Sequence, residues 1–149
     1  MKTSQNKPPH FWIMKLVFNP NWERTAFAFG NTIYAKYELP DHLIVHEAIH
    51  LDQQGRNFFS AWIWLFFYLV SKSFRYKMEL QAYRAQWQYF KKVYPYREHE
   101  AFLKKISSDL SGSLYGNVVS EAQARRSIMK NDSLEEKIKN TKPGEIIEL

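Results

Sequence analysis

The chain has no cysteine. That absence excludes disulfide frameworks, thiolate zinc sites and cysteine nucleophiles together, and it leaves histidine and carboxylate as the strong metal ligands available. A long hydrophobic run is missing as well. The most apolar segment, residues 58–70, is interrupted by Ser60 and falls well short of the ~20 residues a helix needs to span a bilayer. Residues 1–10 carry two lysines but run into Asn6, Pro8 and Pro9 instead of an apolar stretch, so the plan of a secretory signal peptide is lacking and a cytoplasmic location is expected. There is no internal repeat and no clear nucleic-acid signal.

What is present suffices for one substantial core: 149 residues, 45% of them hydrophobic, are too few for two ordinary domains. A single domain over residues 1–131 is expected. Residues 132–149 are short of large apolar side chains until Ile146-Ile147 and include Lys142-Pro143-Gly144, which reads as a loosely ordered C-terminal tail. The net charge is +6, and between residues 72 and 105 nine basic side chains face three glutamates. Lysines and arginines at helical spacing form a solvated surface first and a flank for an acidic partner second.

Three segments, Phe11–Phe18 (FWIMKLVF), 25–29 and 32–37, are rich in aromatic and β-branched residues and are separated by Asn19-Pro20-Asn21 and Gly30-Asn31. They read as three short antiparallel strands. In the third, Ile33, Ala35 and Tyr37 alternate with Thr32, Tyr34 and Lys36, so one face can pack while Tyr34 and Lys36 look outward. Pro40 and Asp41 then open a helix whose apolar pattern runs from Leu43 to Leu51 before Gly55. Further helices are expected over residues 58–72, 74–93, 98–110 and 119–130, with Pro95 ending the third of the five. The fold class is α+β, a small N-terminal antiparallel sheet followed by a helical bundle.

The chemistry concentrates in His46-Glu47-Ala48-Ile49-His50, an HExxH motif on the first of these helices. Histidines four apart project from one helix face and can grip one ion, while Glu47, turned by about 100°, sits beside it as a general base. Zinc with three protein ligands keeps a fourth position for water and lowers its pKa to about 7, so a third ligand is needed. Glu79, 29 positions after His50 and the one acid of a helix otherwise basic, polar or apolar, is the candidate. His42, one turn before His46, and His99, Glu98 and Glu100 beyond Pro95 are weaker competitors. For an oxyanion donor Tyr83, one turn after Glu79, is the first choice, with Tyr34, Arg75 and His99 as substitutes. Gln53 shares the face of the two histidines and can hydrogen-bond a ligand.

HExxH followed by a glutamate on a later helix resembles the gluzincin group of zinc metallopeptidases, the likeness covering residues 32–89. The resemblance implies a zincin-like domain, Zn2+ held by His46, His50 and Glu79, and Glu47 as catalytic base and proton shuttle. It further implies a strand edge ahead of the motif helix, against which a peptide or protein substrate lies extended, a part that residues 32–37 match. Three expectations follow: a zinc-dependent peptidase, a non-catalytic zinc-stabilised module within a larger assembly, or a hydrolase of a non-peptide amide such as a cell-wall cross-link. The aromatic segment 58–70 reads as a buried helix, with a surface for lipid or a protein partner as the alternative.

Overall fold

The computed structural model describes residues 1–130, so the expected tail lies outside the described residues. Its elements in chain order are β1 (Lys2–Ser4), α1 (Phe11–Phe18), β2 (Phe27–Phe29), β3 (Thr32–Tyr34), α2 (Asp41–Gln53), α3 (Phe58–Val70), α4 (Lys72–Val93), α5 (Tyr96–Ser111), a 3-10 turn at Ser113–Tyr115, and α6 (Glu121–Met129). The class is α+β: a three-stranded sheet beside a larger body of helices.

Two parts of the sheet differ from expectation. Phe11–Phe18 is a helix and not a strand. Its inward residues Phe11, Met14 and Phe18 fall at i, i+3 and i+7, a helical period hidden in the sequence because the outward positions are apolar too. Asn19, in the left-handed region at φ 45°, ends this helix by donating its backbone N–H to Lys15 O. In its place β1, three residues with no apolar signal, pairs parallel with β3. The sheet is therefore mixed, in the order β1-β3-β2, with only the β2–β3 hairpin antiparallel. Gly30 opens that hairpin's two-residue loop at φ +63°, a value glycine adopts without a Cβ penalty.

Asp41 is the first-turn acid of α2, after Pro40 as N-cap. Side-chain caps start three later helices: Asn57 accepts from Ser60 N–H, Ser71 from Phe74 N–H, and Ser120 forms a reciprocal capping box with Gln123. The largest core lies where α4, α5 and α6 meet, around Trp87, Phe90, Ile106, Leu110 and Ile128. A second cluster joins β2 and α3 through Phe29, Ala61 and Leu65, with Met14 of α1 against it. Between them α2 packs along α4, the most extensive contact between elements, with Val45 against Ala85 and Tyr89. Among the described residues no helix is long and apolar enough to cross a membrane.

His10, ahead of α1, is buried against the rings of Phe27 and Phe29, and desolvation lowers its pKa from 6.5 to about 4. The unfolded chain takes up a proton near pH 6.5 that the folded chain refuses until about pH 4. Stability from this group is thus complete above pH 6.5 and lost as the pH falls through that window, by about 3 kcal/mol in total. Denaturant titrations at pH 7 and pH 4.5 are expected to differ less for His10→Phe than for the parent chain; an unchanged difference rules the imidazole out as the source.

Candidate metal centre

His46 and His50 leave one face of α2 a helical turn apart, and their Nε2 atoms stand 3.2 Å from each other. Glu79 arrives from α4. Its Oε2 lies 3.4 Å from His46 Nε2 and its Oε1 lies 3.4 Å from His50 Nε2. All three side chains are buried, and one ligand atom from each falls within 4.8 Å of the others. Around a tetrahedral ion with bonds of ~2.0–2.1 Å the ligand atoms are about 3.3 Å apart, which is the spacing of the two imidazole nitrogens and of each imidazole from one of the two Glu79 oxygens. Glu79 Oε2 is also buried without a hydrogen-bond partner. An orphaned carboxylate oxygen is costly in a protein interior, and a cation between it and the imidazoles would satisfy it.

The next layer orients both imidazoles. His46 Nδ1–H donates to Gln86 Oε1 at 3.0 Å, and His50 Nδ1–H donates to Gln53 Oε1 at 2.9 Å. The glutamine amides are themselves held in that sense. Gln53 Nε2 donates to Met78 O and Gln81 Oε1, both at 3.0 Å, and Gln86 Nε2 donates to His42 Nδ1 at 2.9 Å. In the neutral form of each imidazole the proton is thereby held on Nδ1, and Nε2 is the nitrogen whose lone pair faces the centre. On the other side, the Tyr68 hydroxyl of α3 donates to Glu79 Oε1 at 2.6 Å.

Charge at the centre is set by the carboxylates. Burial alone would lower the His50 pKa, but the charge and close approach of Glu79, with Glu47 and Gln53 adding to it, raise it to about 9. Burial alone would raise Glu79, yet the charge and proximity of His50 and His46 hold it well below the ordinary carboxylate range. Glu47 moves the other way: burial raises its pKa, the two histidines oppose this, and Glu79 adds to it. The site is built to hold positive charge beside Glu79.

A cavity of about 110 Å³ reaches this cluster. His46, Glu47, His50 and Glu79 wall one side, residues 25–29 at β2 another, and Met14, Phe18, Leu65 and Tyr68 of α1 and α3 a third. Tyr115 completes the lining beside Leu114. The strand beside the cavity is β2 and not residues 32–37: β3 is the central strand, paired on both sides, and has no free edge to offer. Gln54, just past α2, ties β2 to the motif helix by donating to Ala28 O at 3.0 Å and accepting from Gly30 N–H at 2.9 Å.

His46, Glu47, His50 and Glu79 are therefore gathered at one place, with Gln53 bonded to His50 as expected, and the remaining candidates do not join them. Tyr83 packs its ring edge-on against His46, 4.6 Å between centroids, and its hydroxyl meets that of Tyr115 at 3.3 Å; the cavity wall is formed by Tyr115. His42 stands one layer behind, through Gln86. Arg75 is buried, donating to Tyr68 O at 2.6 Å while its guanidinium lies over the Phe18 ring. Tyr34 packs with the Phe29 cluster, and His99 donates to Tyr94 O at 2.9 Å. Glu98 and Glu100 are exposed, Glu100 pairing with Arg125. Sequence reasoning missed Gln86, Tyr68 and Tyr115. Gln86 carried a signal, seven residues after Glu79 and so two turns along the same face; the two tyrosines carried none, because they reach the site from other elements. Compared with protein-family models, curated proteins and solved structures, the chain matches none.

Proposed function

We propose that this protein is a zinc-dependent hydrolase of peptide bonds, with His46, His50 and Glu79 as metal ligands and Glu47 as general base. The observation that carries the reading is the convergence of these four side chains on the wall of a cavity that leaves room beside them for a reactant. A zinc ion held by His46, His50 and Glu79 would supply Lewis-acid activation of a scissile carbonyl and of the attacking water. Glu47, a buried carboxyl of raised pKa on the cavity wall, is placed to take the proton from the attacking water and pass it to the leaving amine. Tyr68 and Tyr115 stay protonated, since burial and Glu79 push both hydroxyls well above the usual value of 10.

Tyr115 then takes the part of donor to the oxyanion, because it lines the cavity, and Tyr83 becomes the residue that orients it and buttresses His46. Tyr68 holds Glu79 in position. An extended peptide would lie along Thr25 and Ala26, the two residues that lead into β2 and line the cavity ahead of the grip of Gln54 on Ala28. The gluzincin-type, zincin-like plan rests on the motif and on a glutamate from a later helix. A closed structural zinc module is the second reading, and the cavity beside the ligands weighs against it.

Elemental analysis of the purified chain, paired with cleavage of a mixed fluorogenic peptide library with and without chelator, tests the proposal. One zinc per chain and chelator-sensitive cleavage are the expected results. Zinc without cleavage of any peptide favours the structural module or a non-peptide amide substrate, and no zinc at any affinity sinks all three. Gln86→Ala is expected to weaken zinc by about 10–100-fold while keeping the site, as loss of a partner that orients a ligand does; competition with a chromogenic chelator reads this directly.

A further inference from the structure

We propose that the outward faces of α1 and α3 dock on an anionic membrane surface, the two helices lying in the headgroup layer. Segment 58–70 was expected to be buried, and only one of its faces is. Ala61, Leu65 and Tyr68 point inward at i, i+4 and i+7. The opposite stripe, Phe59, Ile63, Phe66, Phe67 and Val70, is exposed, Phe59 by 81%. No charged residue occurs in the thirteen residues of α3, so the helix is apolar on its solvent side as well as its core side. Neighbouring α1 extends the patch. Met14 packs in the same cluster as Ala61 and Leu65 and the Phe18 ring lies 6.3 Å from Tyr68, while Trp12, Leu16 and Val17 face outward, Leu16 by 81%. Scattered exposed apolar side chains are ordinary; the outward apolar faces of two neighbouring helices mark an interaction surface.

Charge identifies the occupant. Residues 1–22 contain Lys2, Lys7 and Lys15 and no acid; residues 53–78 contain Arg56, Lys72, Arg75 and Lys77 and no acid. Arg56 is used by Asp52 and Arg75 is buried, whereas Lys7 ahead of α1, Lys15 on α1 and Lys72 at the start of α4 are exposed. Aromatic and aliphatic side chains set among exposed lysines without a carboxylate match the chemistry of an anionic lipid surface. A second copy of this chain fits worse. A two-fold contact through this face would bring the same lysines together from both sides with no acid to receive them. The inner sides of the same two helices contribute Met14, Phe18, Leu65 and Tyr68 to the cavity wall. The inference does not depend on the metal.

Flotation of the full chain with phosphatidylcholine vesicles, with and without about one third phosphatidylglycerol, tests this at low and raised salt. The chain is expected to float with the anionic vesicles alone, less so at raised salt. The double substitution Phe59→Ser with Phe66→Ser is expected to cut partitioning at least about tenfold. Both positions are exposed, so melting temperature and zinc content stay as in the parent. Lys15→Glu, a second variant, weakens binding without removing apolar area. The proposal is overturned if the parent floats with neither vesicle or equally with both, or if the serine variant floats like the parent. A dimer in sedimentation that the serine variant dissociates also overturns it, giving the face to a second copy.

Discussion

Glu79→Ala is expected to bind zinc more than about 100-fold more weakly than the parent chain, beyond the range reached by losing an outer-shell partner. The reason is local charge as much as the lost bond. Without Glu79 two imidazoles 3.2 Å apart remain, and nothing on α4 neutralises the ion beside them. Glu79→Gln separates the two effects, since it keeps the volume and an oxygen to accept from Tyr68 while removing the charge. The readout is stoichiometry and affinity by competition with a chromogenic chelator, together with thermal melts. Zinc in thousand-fold excess over its dissociation constant stabilises a folded chain by about 4 kcal/mol, so the parent should lose melting temperature on chelation and Glu79→Ala should not. If Glu79→Ala and Glu79→Gln both retain zinc at parental affinity, the glutamate is an ordinary buried ion-pair partner and the third ligand lies elsewhere.

Glu47→Gln is expected to keep zinc and lose hydrolysis by about 10²–10⁴-fold, the usual contribution of a positioned general base. Glu47 neighbours His46 in the chain but leaves α2 in another direction, and it belongs to the cavity wall without belonging to the gathered ligand set. A neutral amide of the same shape satisfies the pocket and cannot accept the proton. The measurement is kcat on a peptide cleaved by the parent, beside elemental analysis of the same preparation. Full activity in Glu47→Gln would remove the proposed base, and joint loss of zinc and activity would make Glu47 part of the ion's support. Tyr115→Phe gives a finer division: an oxyanion donor affects kcat and leaves KM nearly unchanged.

Much of this arrangement was legible because its causes are local. HExxH places two imidazoles on one helix face by the 3.6-residue period alone, and α2 begins and ends close to where Pro40-Asp41 and Gly55 mark it. The five helices of the C-terminal part fall within a few residues of expectation, since caps such as Ser120 and the break at Pro95 act over one turn. Phe11–Phe18 shows the limit. Eight residues that are nearly all apolar suit a strand or a helix equally, and contacts of Met14 and Phe18 with α3 settle the matter from far along the chain. β1 was invisible for the same reason: Lys2-Thr3-Ser4 becomes a strand through the neighbouring backbone of β3 and not through its own side chains.

The sequence by itself determined which atoms are available for a metal, by omitting cysteine and spacing two histidines one helical turn apart, and it nominated Glu79 as the acid on a later helix. Tertiary structure decided the rest. It brought Glu79 to within 3.4 Å of both imidazoles, chose Tyr115 over Tyr83 for the cavity wall, made β2 the strand beside it, and left one whole side of α3 uncovered. The division follows from the range of the forces involved. Helix period, caps and turns depend on a few consecutive residues, whereas burial and the meeting of side chains depend on which distant segment packs on which face.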